Sequence, residues 1–206
     1  MTNKTLAKPR GSETLWLEGA SDLLCGGGVE AVRVMPLARN LGLSRTSFYW
    51  HFEDRDALLD ALVARWEEKN TGNLAQRADA YAETICEAMF NLFDCWLDDD
   101  LFDSRLDLAI RNWARTDPKL QVQLNAADAA RKEAIERMFV HHGYSENEAK
   151  IRTMTVLYTQ IGHLSMPVQE SRWQRLAQMP DFVEVFTGQR PSESEVGRFM
   201  SRHLTE

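Results

Sequence analysis

The residues whose types and spacing could do chemistry lie in one run, LARNLGLSRTSFYWHF, from Leu37 to Phe52. Gly42 suits a tight turn, and Ser44, two residues on, can cap the free N–H groups of a new helix with its hydroxyl. The body of that helix is expected from Arg45 to about Trp50. Phe48, four residues past Ser44, turns toward a core, so Arg45, Thr46 and Ser47 project outward at the helix N-terminus beside Ser44. An arginine fork next to short hydroxyls can read base edges in a DNA major groove, arginine to guanine being the commonest direct contact. Tyr49 follows Phe48 and faces outward, with core packing as its alternative. Trp50 packs either on sugar–phosphate or on the first helix. His51 is read as a phosphate donor, because no Cys, Asp or His stands near it at a spacing useful for catalysis or metal binding.

The other candidate clusters fit plain structural roles. Gly26-Gly27-Gly28 lacks the Gly-Lys-Ser/Thr sequel and the preceding strand of a phosphate loop, and reads as a helix end. Asp98, Asp99, Asp100 and Asp103 read as a solvated helix end and loop, not a cation cluster. His141-His142 precede Gly143 at a helix end, where positive charge suits the dipole, and no second pair stands at ligand spacing. Cys25, Cys86 and Cys95 are odd in number without C-x-x-C spacing, which fits buried thiols in a reducing compartment. No nucleophile–base pair is visible. The expectation is no catalytic residue, no metal, no cofactor and no enzyme.

The elements that must position the run are helical. Ser12 caps a first helix whose apolar spacing uses Leu15, Trp16, Ala20, Leu23 and Leu24, and the glycine run ends it. A second helix runs from about Val34 to Leu41, with Pro36 tolerated in its first turn. A fourth starts near Asp54 and carries Leu58, Leu59, Leu62 and Trp66. NTGNL, with Gly72, looks like a break, and the domain boundary is placed there. Beyond it, helices are expected at about Gln76–Leu97, Leu101–Arg115 and from Pro118, which follows the capping Asp117, to Gly143. One more runs from about Ser145 to Met166, opened by a Ser145–Glu148 capping box. Two short helices at about Gln169–Gln178 and Asp181–Thr187 precede a last one opened by Ser192 and Glu195. No strand-like alternation of useful length appears.

Composition agrees with a globular chain. Of 206 residues, 44% are hydrophobic and 27% charged, and no apolar run approaches the roughly 20 residues that span a bilayer. The opening MTNKTLAKPRGSETLW lacks the apolar core of a secretory signal, so a cytoplasmic protein without membrane partners is expected. A net charge of −7 argues against general nucleic-acid coating. Residues 1–55, however, hold seven basic against six acidic residues, a balance of +1 that leaves −8 for the remainder. An acidic body with a near-neutral head and a basic residue 1–11 arm suits focused phosphate contact. That stretch is either a disordered terminus or an arm that touches the phosphate backbone or minor groove.

At Leu37 to Phe52, followed by DRDALLDAL, the chain resembles the tetracycline-repressor (TetR) family of bacterial transcription regulators. The likeness rests on an apolar residue then Ala38, on Leu41-Gly42-Leu43-Ser44, and on Phe48-Tyr49, His51-Phe52, Arg55 and Leu58-Leu59. It covers about residues 12–66, and Arg111–Pro118 also looks like a segment of TetR-type bodies. The resemblance implies an all-α protein with an N-terminal three-helix helix-turn-helix domain, joined by the fourth helix to a helical body that dimerises and binds a small effector. It places the Tyr49 hydroxyl on phosphate. Two positions depart from the pattern. Arg33 stands where family members often carry a phosphate-binding Ser or Thr before the second helix, and has the longer reach. Arg55 stands where a lysine is commoner, which keeps the charge.

The expected organisation is a DNA-binding domain over 1–66 (arm 1–11, core 12–66) and an effector-binding and dimerisation domain over 67–206. One short helix reads too few bases, so a homodimer on a near-palindromic operator in double-stranded DNA is expected. The helix from Ser145 to Met166 is apolar on more than one side, and Thr155, Gly162 and Ser165 would permit close approach of a partner. Phe93, Trp96, Trp113, Met154, Tyr158 and His163, with Gln160, are the candidates to line an effector pocket. The reading is a dimeric, sequence-specific transcriptional regulator, a repressor released by a small molecule. The alternatives are a DNA-binding protein without an effector and an all-helical enzyme or carrier.

Overall fold

The computed structural model describes residues 11–166 and 168–204, and among these every regular element is helical. The α-helices are α1 (Glu13–Gly27), α2 (Val34–Asn40), α3 (Arg45–Phe48), α4 (Arg55–Trp66), α5 (Asn73–Ala78) and α6 (Ile85–Leu97). After them come α7 (Ser104–Ala114), α8 (Pro118–His141), α9 (Glu146–Ser165), α10 (Arg172–Thr187) and α11 (Glu193–His203). The helices fall into two compact units. One holds the chain up to Glu67 together with Arg105–Gln121, and the other holds Glu68–Ser104 with Val122 onward.

In the first unit, Ser12 caps α1 as expected, its hydroxyl accepting from the Leu15 N–H at 3.2 Å. The buried face of α1 is Trp16, Leu17, Ala20 and Leu24, while Leu15 is exposed and Leu23 half-buried. The apolar stripe is therefore turned slightly from the one expected. Gly11, assigned by sequence to the arm, is buried. A Cβ there would overlap Leu43 and crowd the Trp16 indole, so Gly11 is part of the packed head. The rest of the arm, residues 1–10, lies outside the described residues. A 3-10 turn (Val29–Ala31) leads into α2, which carries Pro36 in its first turn. Gly42 makes the turn to α3 at φ 66°, a left-handed conformation that favours glycine.

α4 is capped by Asp54, which accepts from the Ala57 N–H at 2.8 Å, and buries Leu58, Leu59, Leu62, Val63 and Trp66. The Trp66 indole donates to Asp107 on α7 at 2.9 Å, and Arg111 Nε donates to the other Asp107 oxygen at 2.8 Å. This buried indole–carboxylate–guanidinium chain ties α7 to α4 within one unit. The sequence reading had placed all of 67–206 in a single body. It could not see that one aspartate in α7 answers an indole 41 residues earlier.

In the second unit, α6 is the central element. It buries ten residues and packs against α5, α10 and α11. The single helix expected over Gln76–Leu97 is two, because Thr84 caps α6: its hydroxyl accepts from the Glu87 N–H while the Glu87 carboxylate accepts from the Glu83 N–H. The expected break at NTGNL is instead a π-helical stretch (Glu67–Gly72) that runs into α5. Buried Asn70 stabilises it by pairing both ends of its amide with the Asp103 backbone, at 3.1 and 2.9 Å. The two short helices expected before Thr187 are one continuous α10 with Pro180 inside it. Ser171 and Gln174 open α10 with a capping box that the sequence reading did not use. The boxes at Ser145–Glu148 and Ser192–Glu195 are as expected. The C-terminal carbonyls of α10 are taken by side chains: Arg152 donates to Phe186 O at 2.8 Å and the Tyr144 hydroxyl donates to Thr187 O at 2.6 Å.

Candidate DNA-reading surface and ligand cavity

The reading surface is held from beneath by aromatics. Phe48 is fully buried and meets Trp16 edge-on, with ring centroids 5.3 Å apart, and Phe52 packs on its other side. Ser44 caps α3 by accepting from the Ser47 N–H at 3.1 Å. α3 is shorter than expected. It ends at Phe48, and the next residues tighten into i→i+3 bonds, Trp50 N–H to Ser47 O and His51 N–H to Phe48 O. What this short helix presents is what the spacing suggested: Ser44, Arg45, Thr46, Tyr49 and Trp50 are exposed and Ser47 is half-buried. Trp50, 78% exposed, does not pack on α1, which removes one of its two readings.

Three residues have occupations that the sequence did not reveal. Arg45 lies over the Tyr49 ring, 5.3 Å from its centroid, and donates to the Tyr49 hydroxyl at 3.0 Å. Both side chains face outward but are organised by each other. His51 Nε2 lies 2.6 Å from the Gly11 carbonyl, so that nitrogen carries the proton and donates inward, and Nδ1 donates to a phosphate only when the ring is doubly protonated. Arg55 donates to two backbone carbonyls, Val32 O and Val29 O, each at 2.6 Å. It braces the turn before α2, a task that its expected place among the DNA-binding residues did not foretell. Arg33 is exposed and bonded only locally, Nε to Glu30 O at 2.9 Å, so its guanidinium stays at the surface.

The second unit contains a cavity of about 200 Å³ between α6, α9 and α10. Phe93, Trp96, Val156, Met179, Phe182 and Phe186 form most of its apolar wall, and Thr159, Gln160, His163, Glu170, Arg175 and Gln178 supply polar groups. Of the expected lining residues, Phe93, Trp96, Gln160 and His163 are there. Trp113 is on α7 in the other unit, Met154 is half-buried off the cavity, and Tyr158 is exposed beneath Lys132. The helical turn explains this: each residue rotates about 100°, so the face carrying Val156, Thr159, Gln160 and His163 excludes positions 154 and 158. Arg175 was missed. Its signal was its spacing with Met179, Phe182 and Phe186, one basic residue on an otherwise apolar stripe of α10.

Burial pushes the His163 imidazole down from its ordinary range, the Arg175 guanidinium adds to this, and the Glu170 carboxylate, 3.7 Å away, opposes it. Burial also lowers Arg175, against the pull of Glu170 and Asp99, yet an arginine stays charged. Among the described residues, Trp96 Nε1 and Gln160 Nε2 are buried without a hydrogen-bond partner.

A capped short helix with an exposed, polar N-terminus, seated on an aromatic core after a glycine turn, is the arrangement of a helix-turn-helix motif. Residues 17–62 match the family model for bacterial regulatory proteins of the tetR family. The match lies in the N-terminal domain and takes in α2, α3 and most of α1 and α4. The tetracycline repressor protein class A from transposon 1721 of Escherichia coli is 38% identical over 63 residues, which is 31% of this chain and 29% of that repressor. The chain thus matches under a third of that relative's length. Among solved structures, the fold resembles AmtR of Mycobacterium smegmatis (TM-score 0.64, 15% identity, 96% of each chain). It also resembles the ketosteroid transcriptional regulator KstR2 of Mycobacterium tuberculosis (TM-score 0.65, 14% identity, 91% of this chain and 98% of that one). A transcriptional regulator from Rhodococcus sp. Rha1 is similar too (TM-score 0.60, 17% identity, 93% and 97%).

Proposed function

We propose that this chain is a cytoplasmic, dimeric, sequence-specific transcriptional regulator, a repressor whose grip on a near-palindromic operator is released when a small molecule enters the second unit's cavity. The observation that carries the DNA-reading role is the exposed start of α3. In this reading Arg45, Thr46 and Ser47 meet base edges, while Arg33, Tyr49, Trp50 and His51 meet the backbone. Arg45 and Tyr49 must part, or move together, when they engage DNA.

The dimer is supported by α9. Ile151, Thr155, Tyr158, Gly162 and Ser165 recur at helical spacing on one face, and Ile151 and Tyr158 are 58% and 56% exposed. The hydroxyls of Thr155 and Ser165 are turned back onto their own helix, to Ile151 O and Ile161 O, which leaves that face apolar. An effector acts by preferring a conformation whose heads are misplaced for DNA.

Selection from random duplex DNA, with light scattering on the same protein, tests this. The expected result is a dimer enriching paired half-sites about one helical turn apart. A monomer at micromolar concentration, or binding that enriches no sequence, overturns it.

A further inference from the structure

The cavity between α6, α9 and α10 says more about its occupant than that it is small. We infer that it takes a small organic anion, a monocarboxylate with a compact aromatic or branched apolar body, seated with its carboxylate on Arg175. This rests on the proposed reading of the cavity as the effector site.

Size is the first argument. A dry apolar cavity of about 150 Å³ accommodates benzene, so about 200 Å³ suits a molecule the size of benzoate. The wall is the second. Phe93, Phe182, Phe186, Val156 and Met179 present ring and aliphatic surface to the body of such a ligand. The polar groups decide the sign of the charge. Arg175 is mostly buried, and among the described residues its guanidinium makes no hydrogen bond or ion pair. Two of the lining residues, Trp96 and Gln160, each bury a nitrogen that finds no partner among the described residues, and both nitrogens donate. An amide can turn to offer its oxygen, but an indole cannot. The unsatisfied capacity is therefore for acceptors, and a carboxylate offers two strong ones in a planar geometry that matches an arginine fork.

Glu170 is the argument for a cationic ligand instead. Its charge acts on the Arg175 guanidinium beside it, and an ammonium ligand would bring further donors to lining residues whose orphaned atoms are donors. The larger hollow by α5, α8 and α9, about 1090 Å³, is more open and mixes apolar residues such as Tyr81, Met138 and Val140 with charges of both signs, Glu133, Glu136, Arg137 and Lys150 among them, so its wall selects neither a body nor a charge.

The test uses the full chain and three probes of one shape: benzoate, benzamide and benzylamine. Thermal shift and titration calorimetry are read on the parent and on Arg175→Gln. Benzoate is expected to bind about tenfold or more tighter than benzamide, one charge-assisted contact's worth, and Arg175→Gln is expected to erase that margin without lowering the melting temperature of the free protein. Should that variant fail to fold, Trp96→Phe, which removes the indole N–H, is expected to weaken benzoate selectively. Tighter binding of benzylamine or benzamide overturns the anion assignment and leaves the cavity as an effector site. If none of the three binds, the anion proposal fails and the effector reading of the cavity loses its support with it.

Discussion

Replacing Arg55 by methionine separates two roles that one arginine can play. The side chain is one-third exposed and donates to Val29 O and Val32 O at 2.6 Å each. Methionine keeps the aliphatic bulk and removes both bonds. A hydrogen bond involving a charged group is worth about 1.5–3 kcal/mol when sheltered. With partial exposure, and with water able to reach the freed carbonyls, the two together are expected to cost about 2 kcal/mol. For a chain of this size that lowers the melting temperature by about 4–8 °C. Faster amide exchange should appear in the Val29–Ala38 segment that the arginine braces. The slope of log binding constant against log salt on a selected DNA site should stay within error, because a residue that holds backbone releases no counterions from phosphate. Arg55→Lys should behave almost as badly in melting, since a lysine presents no fork to two carbonyls. An unchanged melting temperature with a salt slope reduced by about one per head would refute the bracing role and restore Arg55 to the DNA surface.

Asp107→Ala takes away the carboxylate that Trp66 and Arg111 share, and about 3–5 kcal/mol of stability should go with it, read as a lower urea midpoint. Thr46→Ala should alter sequence preference by about 1–3 kcal/mol at one position, whereas Tyr49→Phe with His51→Ala should weaken all sequences alike. Because Arg45 and Tyr49 are bonded and stacked, Arg45→Ala and Tyr49→Phe should be non-additive in competition binding. His163 in the folded chain titrates below its ordinary 6.5, so as pH falls through that value the unfolded chain takes up the proton first and stability drops. His163→Gln should flatten the urea midpoint between about pH 7 and pH 5. Burial pushes the thiols of Cys86 and Cys95 up to about 11 and about 12, so alkylation at pH 8 should reach them only on unfolding.

The DNA-reading head was legible because its determinants are local. Ser12, Gly42, Ser44 and Asp54 act on residues two to four away, and Phe48 turns inward by helical spacing alone. The roles of Arg55 and His51 were not legible, because their partners are backbone carbonyls 23 and 40 residues away and carry no sequence signature. In the second unit, the Thr84–Glu87 and Ser171–Gln174 pairs were readable capping signals that lost to longer apolar periodicity and to the expectation that Pro180 ends a helix. Four of the seven candidate lining residues, Phe93, Trp96, Gln160 and His163, border the cavity, and the phase of α9 that brings Gln160 and His163 there turns Met154 and Tyr158 away. Aromatic content suggested a pocket, and only the phase of α9 could say which aromatics face it.

α10 behaves like a cantilever. Its far end is clamped, since Arg152 and Tyr144 hold the carbonyls of Phe186 and Thr187. At mid-length Pro180 has no N–H to give, so the Leu176 carbonyl lacks its usual partner and the beam is thinned there. Arg175 rides on the stretch before that thinning, with Glu170 just outside the helix. A load applied at Arg175 therefore deflects the near half of the beam while the clamped half keeps its place against α9. The stiffness that decides how far it deflects is set at Pro180, between the load and the clamp, so Pro180→Ala should stiffen the response of this unit without altering what it holds.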